Sequence, residues 1–564
     1  MAPEPSEGEE EENMKRIVEC VPNFSEGRDP VIIDRIGAEI ENVAGVVLLD
    51  VDPGKDTNRT VVTFAGTPEG VAEAAFQAIK KAAELIDMSR HSGAHPRMGA
   101  TDVCPFVPVS GVSMADCVAI ARKVGQRVAE ELAIPVFLYE EAASCPERRS
   151  LAFIREGEYE GLADKLKKKE FKPDFGAAVF NKRSGATVIG AREFLIAYNV
   201  NLNTRNVKLA KEIANRLREK GWTVKDPNSG EKKTMPGALK AVRAVGWYID
   251  EYRMAQISVN LLNYKITPLY RVFDESEKLA GQFGVRVTGS ELVGLIPLEA
   301  VLQTGRHYLA RQGNPTGVSE RELVRVAVQS LGLSEIAKFN PEHKIIEYRF
   351  RQKGRLVSMD LVDFCDELAS DSPAPGGGSI AALNGALSAG LSSMVGNLTF
   401  AKKGYENVRA DMNRLAEKAQ QLKDFMIAAI DSDTDAFNQV MTAFSLPKKT
   451  DEEKRRRDAA VLEATKQATQ VPFSVLEKSV ELAQLALEMV QKGNRNSLSD
   501  AGVAGLAAAT CAEGAWYNVL INTKGMSDTV FSRDIQKKAR RLHSQVEKLV
   551  AQSRRIMKQE LAAE

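Results

Sequence analysis

Strand-like and helix-like segments follow one another twice in the order βαββαβ, and then strand patterning stops. The first series is "RIVECVPNF" (16–24), "PVIIDRIGAEIENV" (30–43), "VVLLDVD" (46–52), "RTVVTFAG" (59–66), "GVAEAAFQAIKKAAELIDM" (70–88) and "TDVCPFVPV" (101–109). Short β-rich runs thus alternate with apolar stripes of helical period. A helix over 113–133 and a strand over 134–139 extend this series. The second is "EFLIAYNVNL" (193–202), "KLAKEIANRLREKG" (208–221), "LKAVRAVGWYI" (239–249), "AQISVNLLNY" (255–264), a helix over 267–283 and "VRVTGSELVGLIP" (285–297). This order is the split βαβ of ferredoxin-like units, so the spacing predicts two related α/β lobes, 15–194 and 195–350. Two such lobes facing each other create a cleft. Residues 351–358 read as a polar linker. From 359 to 564 the composition shifts to Ala, Leu, Lys, Glu and Gln in heptad-like stripes, which predicts an antiparallel all-α bundle. Residues 1–14 form an acidic tail expected to be disordered.

A chain of 564 residues exceeds what one hydrophobic core organises, so three or more folding units are expected. Lys+Arg and Asp+Glu are equal at 76 each, which argues against nucleic acid as the main ligand, since phosphate binding normally leaves a basic excess. No run reaches the roughly 18 apolar residues of a membrane span. The first residues lack the basic and apolar regions of a secretory signal. The six cysteines are scattered without metal-ligand spacing, so a reduced, cytoplasmic protein without a metal site is expected.

In "HSGAHPRMG" two of the five histidines, His91 and His95, lie just after a helix in a loop bracketed by Gly93 and Gly99. Pro96 fixes the backbone beside His95. A histidine over a strand end can shuttle protons near neutrality. Equally, both histidines can cap the helix C-terminus. Arg97 can fork onto a carboxylate.

In the helical half one stripe runs Leu415, Ala419, Leu422, Met426, Ala429, Asp433, Phe437, Val440 and Phe444. Asp433 interrupts this apolar seam, whereas Asp431 and Asp435 point away and read as surface charges. A carboxyl among apolar side chains has its pKa raised by desolvation. The alternative is a structural Asp paired to a buried cation. Upstream, Gly376, Gly377, Gly378 and Ser379 form a turn feeding a helix in which Ala381, Gly385, Ala389 and Ser393 recur every four positions, permitting close helix approach. The turn lacks the ending of a Walker loop, but its bare amides could hold an anion. A second Gly-rich helix start carries Asn496, Ser497 and Asp500. Asn518 and Asn522 share one helix face, fit either for a ligand or for bonds between helices.

The motifs "VECVPNFSEG", "LLDVD", "DTNRTVVTFAG", "HPRMGATDVCPFVPV", "VGWYIDE", "ELVGLIPLEA", "PAPGGGSIAAL" and "SDTDAF" together resemble the formimidoyltransferase-cyclodeaminase family over nearly the whole chain. The resemblance implies that His95 is the transferase acid/base, with His91 positioning. It implies that folate lies along Gly176, Ala177, Ala178, Val179, Phe180, Asn181, Lys182, Arg183, Ser184 and Gly185, and that Asp433 is the cyclodeaminase acid/base. The implied reaction moves a formimino group from formimidoylglutamate to N5 of tetrahydrofolate, a co-substrate expected in polyglutamylated form. Ring closure to 5,10-methenyltetrahydrofolate with loss of ammonia would follow. In that setting Arg97 is the candidate partner for substrate carboxylates, and Asp50 and Asp52 are candidates to orient His95 or hold the pterin. Gly376–Ser379 would take a folate carboxylate, and Asn496 and Asp500 would line the second site. Family membership also implies a homo-oligomer with dimeric bundle contacts. Two alternatives remain: a transferase fused to a methenyltetrahydrofolate cyclohydrolase, and a folate-binding scaffold without turnover.

Overall fold

The structure is a computed structural model describing residues 16–55, 57–93, 95–225, 231–351 and 354–562. The expected acidic tail lies outside the described residues. The described chain divides into two compact units, one of residues 16–304 and 328–351, the other of 305–327 with 354–562.

Among the described residues the first unit holds two large sheets and a separate two-stranded hairpin. In the N-terminal one, β1 (Ile17–Cys20), β2 (Asn23–Phe24), β3 (Val46–Gly54), β4 (Arg59–Gly66) and β5 (Thr101–Ser110) are antiparallel, with β3 on β4, β4 on β1 and β1 on β5. Two strands extend it in parallel: β7 (Thr187–Ala191) pairs with β5, and β6 (Val136–Glu140) pairs with β7. Helices α1 (Pro30–Glu41), α2 (Pro68–Leu85) and α3 (Met114–Leu132) cover one face. They do so because apolar residues recur at helical spacing: Val71, Ala74, Ala75, Ala78, Ile79 and Ala82 of α2 bury against Val18, Cys20, Val62 and Phe64. Thr67 starts α2 by accepting from Gly70 N at 3.1 Å. Beyond β6, a single helical turn, α4 (Leu151–Arg155), lies on the sheet's other side of the core, with Ile154 packed alongside Val103, Phe137 and Val188.

The second sheet comprises β8 (Ile196–Leu202), β11 (Val242–Ile249), β12 (Met254–Leu261) and β13 (Val287–Val293), in the order β11-β12-β8-β13, all antiparallel. Helices α5 (Val207–Leu217) and α6 (Leu269–Gln282) cover it, and α7 (Leu298–Arg311) and α8 (Glu320–Ser330) follow in the chain. In both sheets the second, third, first and fourth strands of the series lie side by side. Alternation along β8 sends Tyr198, Val200 and Leu202 to the core and Asn199 and Asn201 to the opposite face. There Asn201 donates to Glu335 at 2.7 Å and accepts from Gln256 at 2.8 Å. The hairpin β9–β10 (Trp222–Lys225 with Lys232–Met235) was not expected, nor was β7. Each has only four or five residues, too few to display a period.

The second unit is helical: α9 (Leu361–Leu368), α10 (Gly377–Ala401), α11 (Arg409–Ser445), α12 (Asp451–Lys492), α13 (Leu498–Thr523) and α14 (Thr529–Ala562). The small residues of α10 face its neighbours as expected. A Cβ on Gly385 would meet Met426 Sδ at 2.6 Å and Cys511 Sγ at 3.0 Å, so α10 is wedged between α11 and α13. Residues 305–327, within the segment expected as the C-terminal lobe, pack with this unit. Thr316 N donates to Asn413 Oδ1 at 2.7 Å, and the Gly317 carbonyl accepts from Ser393 and Asn397. Asp431 is also more than a surface charge. Its carboxylate accepts from Leu356 N at 2.8 Å and Val357 N at 3.2 Å, tying the linker region to α11.

Candidate functional site

After α2 the chain makes one 3-10 turn, Met88–Arg90, started by Asp87, which accepts from Ser89 N at 3.0 Å. Asn58 then organises the loop. In the left-handed region at φ 47°, it donates through Nδ2 to the Ser92 carbonyl at 3.0 Å and accepts from Gly27 N at 3.0 Å. A Cβ on Gly93 would lie 2.3 Å from the Thr57 carbonyl, so a glycine is required where the loop crosses β4's start. His91 donates through Nε2 to the Asn58 carbonyl at 2.9 Å and accepts at Nδ1 from Arg97 Nε at 3.2 Å. Burial and the Arg97 charge hold its pKa down. Both ring nitrogens of His91 are engaged by the protein's own groups.

Arg97 departs from expectation. Its guanidinium is buried and bound by Glu158 at 2.9 Å and Glu160 at 2.7 Å, besides His91. Two carboxylates already occupy the fork proposed for the substrate. A cavity of about 410 Å³ lies here, lined by His91, Ser92, Gly93, Arg97, Gly157, Glu158 and Glu160, and its acidic wall is unsuited to an anionic substrate.

His95 is half-buried, and its buried Nδ1 has no partner among the described residues. Its pKa is pushed down to about 4, first by burial, then by the Arg59 and Arg155 guanidinium groups. The expected near-neutral value is therefore not met: the imidazole stands neutral beside two cations. Arg59 donates to Asn23 Oδ1 at 2.5 Å. Arg155 pairs with the buried Asp102, whose other oxygen accepts from Met98 N at 2.9 Å. Asp50 and Asp52 lie exposed on β3. Asp52 faces Val61 in register and acts electrostatically on Arg59. Neither carboxylate orients the imidazole through Nδ1, which corrects that expectation. Burial and Asp52 raise the Asp50 pKa. Sequence reading missed Arg59, Arg155, Asp102 and Glu19. The last is a buried acid whose pKa rises to about 7 by desolvation, with Arg192 opposing and Glu347 adding.

The segment 176–185 zips against this loop at its far end: Ala100 N donates to the Ser184 carbonyl at 2.9 Å, and Ala186 N to the Met98 carbonyl at 3.1 Å. Gly185, at φ 69°, passes so close that a Cβ would lie 2.1 Å from the Met98 carbonyl. Gly176, Ala177, Ala178 and Val179 are exposed, and Phe180 packs on Tyr159 at 5.4 Å. Asn181 Oδ1 accepts from Ser184 N, and the Lys182 carbonyl accepts from Tyr159 at 2.5 Å. Arg183 caps α2 through the Ala83 and Glu84 carbonyls, so its guanidinium is committed to structure rather than to a ligand.

In the helical unit the α11 seam is buried from Leu415 to Ala429 and opens at Asp433; Phe437 and Val440 are half-buried and Phe444 is exposed. Asp433 is half-buried and lies over the start of α10. Its carboxylate accepts from the Ser379 backbone and, at 3.5 Å, from Ser379 Oγ, which also donates to the Ile430 carbonyl. Burial dominates those bonds and raises its pKa to about 6. The anion at Gly376–Ser379 is thus the protein's own carboxylate, not a folate carboxylate as expected. Asn518 adjoins this point, with its Nδ2 3.4 Å from where a Gly377 Cβ would be. Asn522 bonds to the Ala468 carbonyl between helices. Asn496 and Asp500 lie elsewhere. Their neighbour Asn494 donates to Thr399 at 2.9 Å, near the far end of α10 and about 30 Å along it from Ser379 at ~1.5 Å per residue. Within one chain they do not join Asp433. Among the described residues no group of three or more His, Cys, Asp or Glu could hold a metal ion, and no helix is long and apolar enough to cross a membrane.

Three family descriptions match in series: "Formiminotransferase domain, N-terminal subdomain" over residues 17–192, "Formiminotransferase domain" over 197–351, and "Formiminotransferase-cyclodeaminase" over 360–541. The formimidoyltransferase-cyclodeaminase of Mus musculus is 45% identical over 521 residues, 92% of this chain and 94% of that protein. The glutamate formimidoyltransferase of Streptococcus pyogenes serotype M1 is 42% identical over 296 residues, 52% of this chain and 94% of that protein. The methenyltetrahydrofolate cyclohydrolase of Methylorubrum extorquens is 46% identical over 171 residues, 30% of this chain and 82% of that protein. A match that runs through both units at this identity leaves one conclusion: the chain belongs to the formimidoyltransferase-cyclodeaminase family.

Proposed function

We propose that the first unit transfers a formimino group from formimidoylglutamate to N5 of tetrahydrofolate, and that the helical unit closes the ring of the product and releases ammonia. The observation that carries this reading is a half-buried proton carrier in each unit, inside a chain similar to a bifunctional relative along nearly its whole length. In the first unit, N5 attacks the formimino carbon, His95 takes the N5 proton, and the departing glutamate amine receives it. In the second, N10 attacks the same carbon. Asp433, mostly carboxylate at neutral pH but able to hold a proton near pH 6, collects the N10 proton and hands it to the leaving ammonia.

The exposed residues 176–179 are the part of the proposed folate segment free to meet a ligand. The matching strand order of the two sheets supports descent of both lobes from one ferredoxin-like unit. A homo-oligomer paired through the bundle is supported by α10 and α13, rich in apolar residues yet exposing Leu387, Leu398, Val503, Leu506 and Ile521. All six cysteines are unpaired, which suits a reducing, cytoplasmic setting.

Similarity of 30% of the chain to a cyclohydrolase favours one second reading, in which the helical unit opens methenyltetrahydrofolate instead. A coupled assay decides: loss of formimidoylglutamate together with release of ammonia supports the bifunctional reading. Transfer without ammonia supports the cyclohydrolase.

A further inference from the structure

We propose that Arg59 and Arg155 form the carboxylate clamp of the transferase site and grip the α-carboxylate of formimidoylglutamate beside His95. The inference rests on the transferase reading above and replaces Arg97 with a different pair.

The guanidinium groups differ in what they have left to offer. The Arg97 fork is filled by Glu158, Glu160 and His91. Arg59 and Arg155, in contrast, each keep a buried Nε with no partner among the described residues, and His95 Nδ1 and Thr101 Oγ1 are in the same condition. A buried donor without a partner costs stability, and such atoms persist where a ligand satisfies them. The two guanidinium groups and His95 sit together: Arg59 bonds to Asn23, which pairs with Val103, the neighbour of the Asp102 that holds Arg155, and both arginines act on His95.

Each arginine is also held from behind. Arg59 is anchored by Asn23 at 2.5 Å, and Arg155 by Asp102. The α4 turn that delivers Arg155 is fixed by Lys165, whose Nζ donates to the Ile154 carbonyl at 2.7 Å and the Glu156 carbonyl at 2.6 Å. The clamp is therefore rigid before a ligand arrives, which limits the ordering cost of binding.

Charge points to an anion. Arg59, Arg155 and His95 are faced by Asp102, which is already paired, and by Asp52, which acts on Arg59 at longer range. An entering carboxylate offsets the two cations and so lifts the hold they exert on His95, returning it toward the range where it can accept and release a proton. The substrate's own connectivity selects which carboxylate. The departing amine and the α-carboxylate share one carbon, so a clamp adjoining the base that serves that amine fits the α-carboxylate.

The test compares N-formimidoyl-L-glutamate with its α-amide and its γ-amide in wild-type, Arg59→Gln and Arg155→Lys full-length chains. An unchanged thermal unfolding profile of the full-length chain serves as the check of folding, and cyclisation of supplied 5-formimidoyltetrahydrofolate as the check on the helical unit. Loss of a charged, bidentate contact is expected to cut wild-type kcat/KM for the α-amide by about 100-fold, with the γ-amide less affected. Each variant is expected to lose about as much with the parent substrate, yet little more with the α-amide, and to keep its KM for tetrahydrofolate. Equal losses on parent and α-amide would overturn the proposal. So would a raised KM for tetrahydrofolate with unchanged use of formimidoylglutamate, which would assign the clamp to the folate's glutamate tail. A wild-type chain that transfers no formimino group would sink the transferase reading itself, a separate result.

Discussion

Asp433 leaves no room for a side chain at Gly378: a Cβ at 378 would lie 2.1 Å from Asp433 Oδ1 and 2.3 Å from Oδ2. The carboxylate can approach the α10 start because residue 378 has no side chain. Gly378→Ala is therefore expected to displace the carboxylate and reduce cyclisation at least about 100-fold, the scale of a lost acid–base group, while transfer persists. Separate assays of the two half-reactions check this, and undiminished cyclisation would remove Asp433 from its proposed role.

The pH profile of cyclisation carries a second expectation. Asp433 has its pKa raised to about 6 and must begin as carboxylate to collect the N10 proton. Below that value kcat/KM should fall tenfold per pH unit, and above it the profile should level off. A profile flat from pH 5 to 8 would contradict the assignment.

The same shift has a stability cost with a defined sign. The folded carboxyl binds its proton more tightly than the unfolded one, whose pKa is about 3.9. Stability is complete below the lower value and is lost as pH rises through about 6, by at most about 3 kcal/mol. Asp433→Asn should thus raise the melting temperature, and by more at pH 8 than at pH 5. Thermal scans at the two pH values read this directly.

Division of labour is tested by His95→Ala. Transfer should fall by roughly 10²–10⁴, the usual worth of general acid–base catalysis, with cyclisation of supplied intermediate intact. Simultaneous loss of both activities in folded protein would contradict the two-site reading.

Asp431→Ala should loosen residues 354–357 by stripping two backbone amides of their acceptor. The expected cost is about 1–3 kcal/mol. Limited proteolysis should then cut this segment in the variant before the wild type; identical cleavage patterns would refute it.

How much of this was legible beforehand depended on whether a residue's role is local. The long amphipathic helices and the strands of both series were readable because period and length agree, as in α2 and β12. Asp433 was readable because it breaks an apolar stripe on its own helix. Arg97 misled because its neighbours in sequence suggested a free fork, whereas Glu158 and Glu160 reach it through space. Arg155 gave no signal at all, since its link to His95 exists only once α4 is folded against β5. Asn496 and Asp500 looked like a second glycine-rich site, yet the length of α10 sets them apart from Asp433.

Because the α10 start already hosts a negative group of the protein's own, inhibitor chemistry aimed at this point should avoid acids. A compound presenting an amidine or a protonated amine would meet an attractive rather than a repelling surface, and its hold would tighten as the solution becomes less acidic and the resident group gives up its proton.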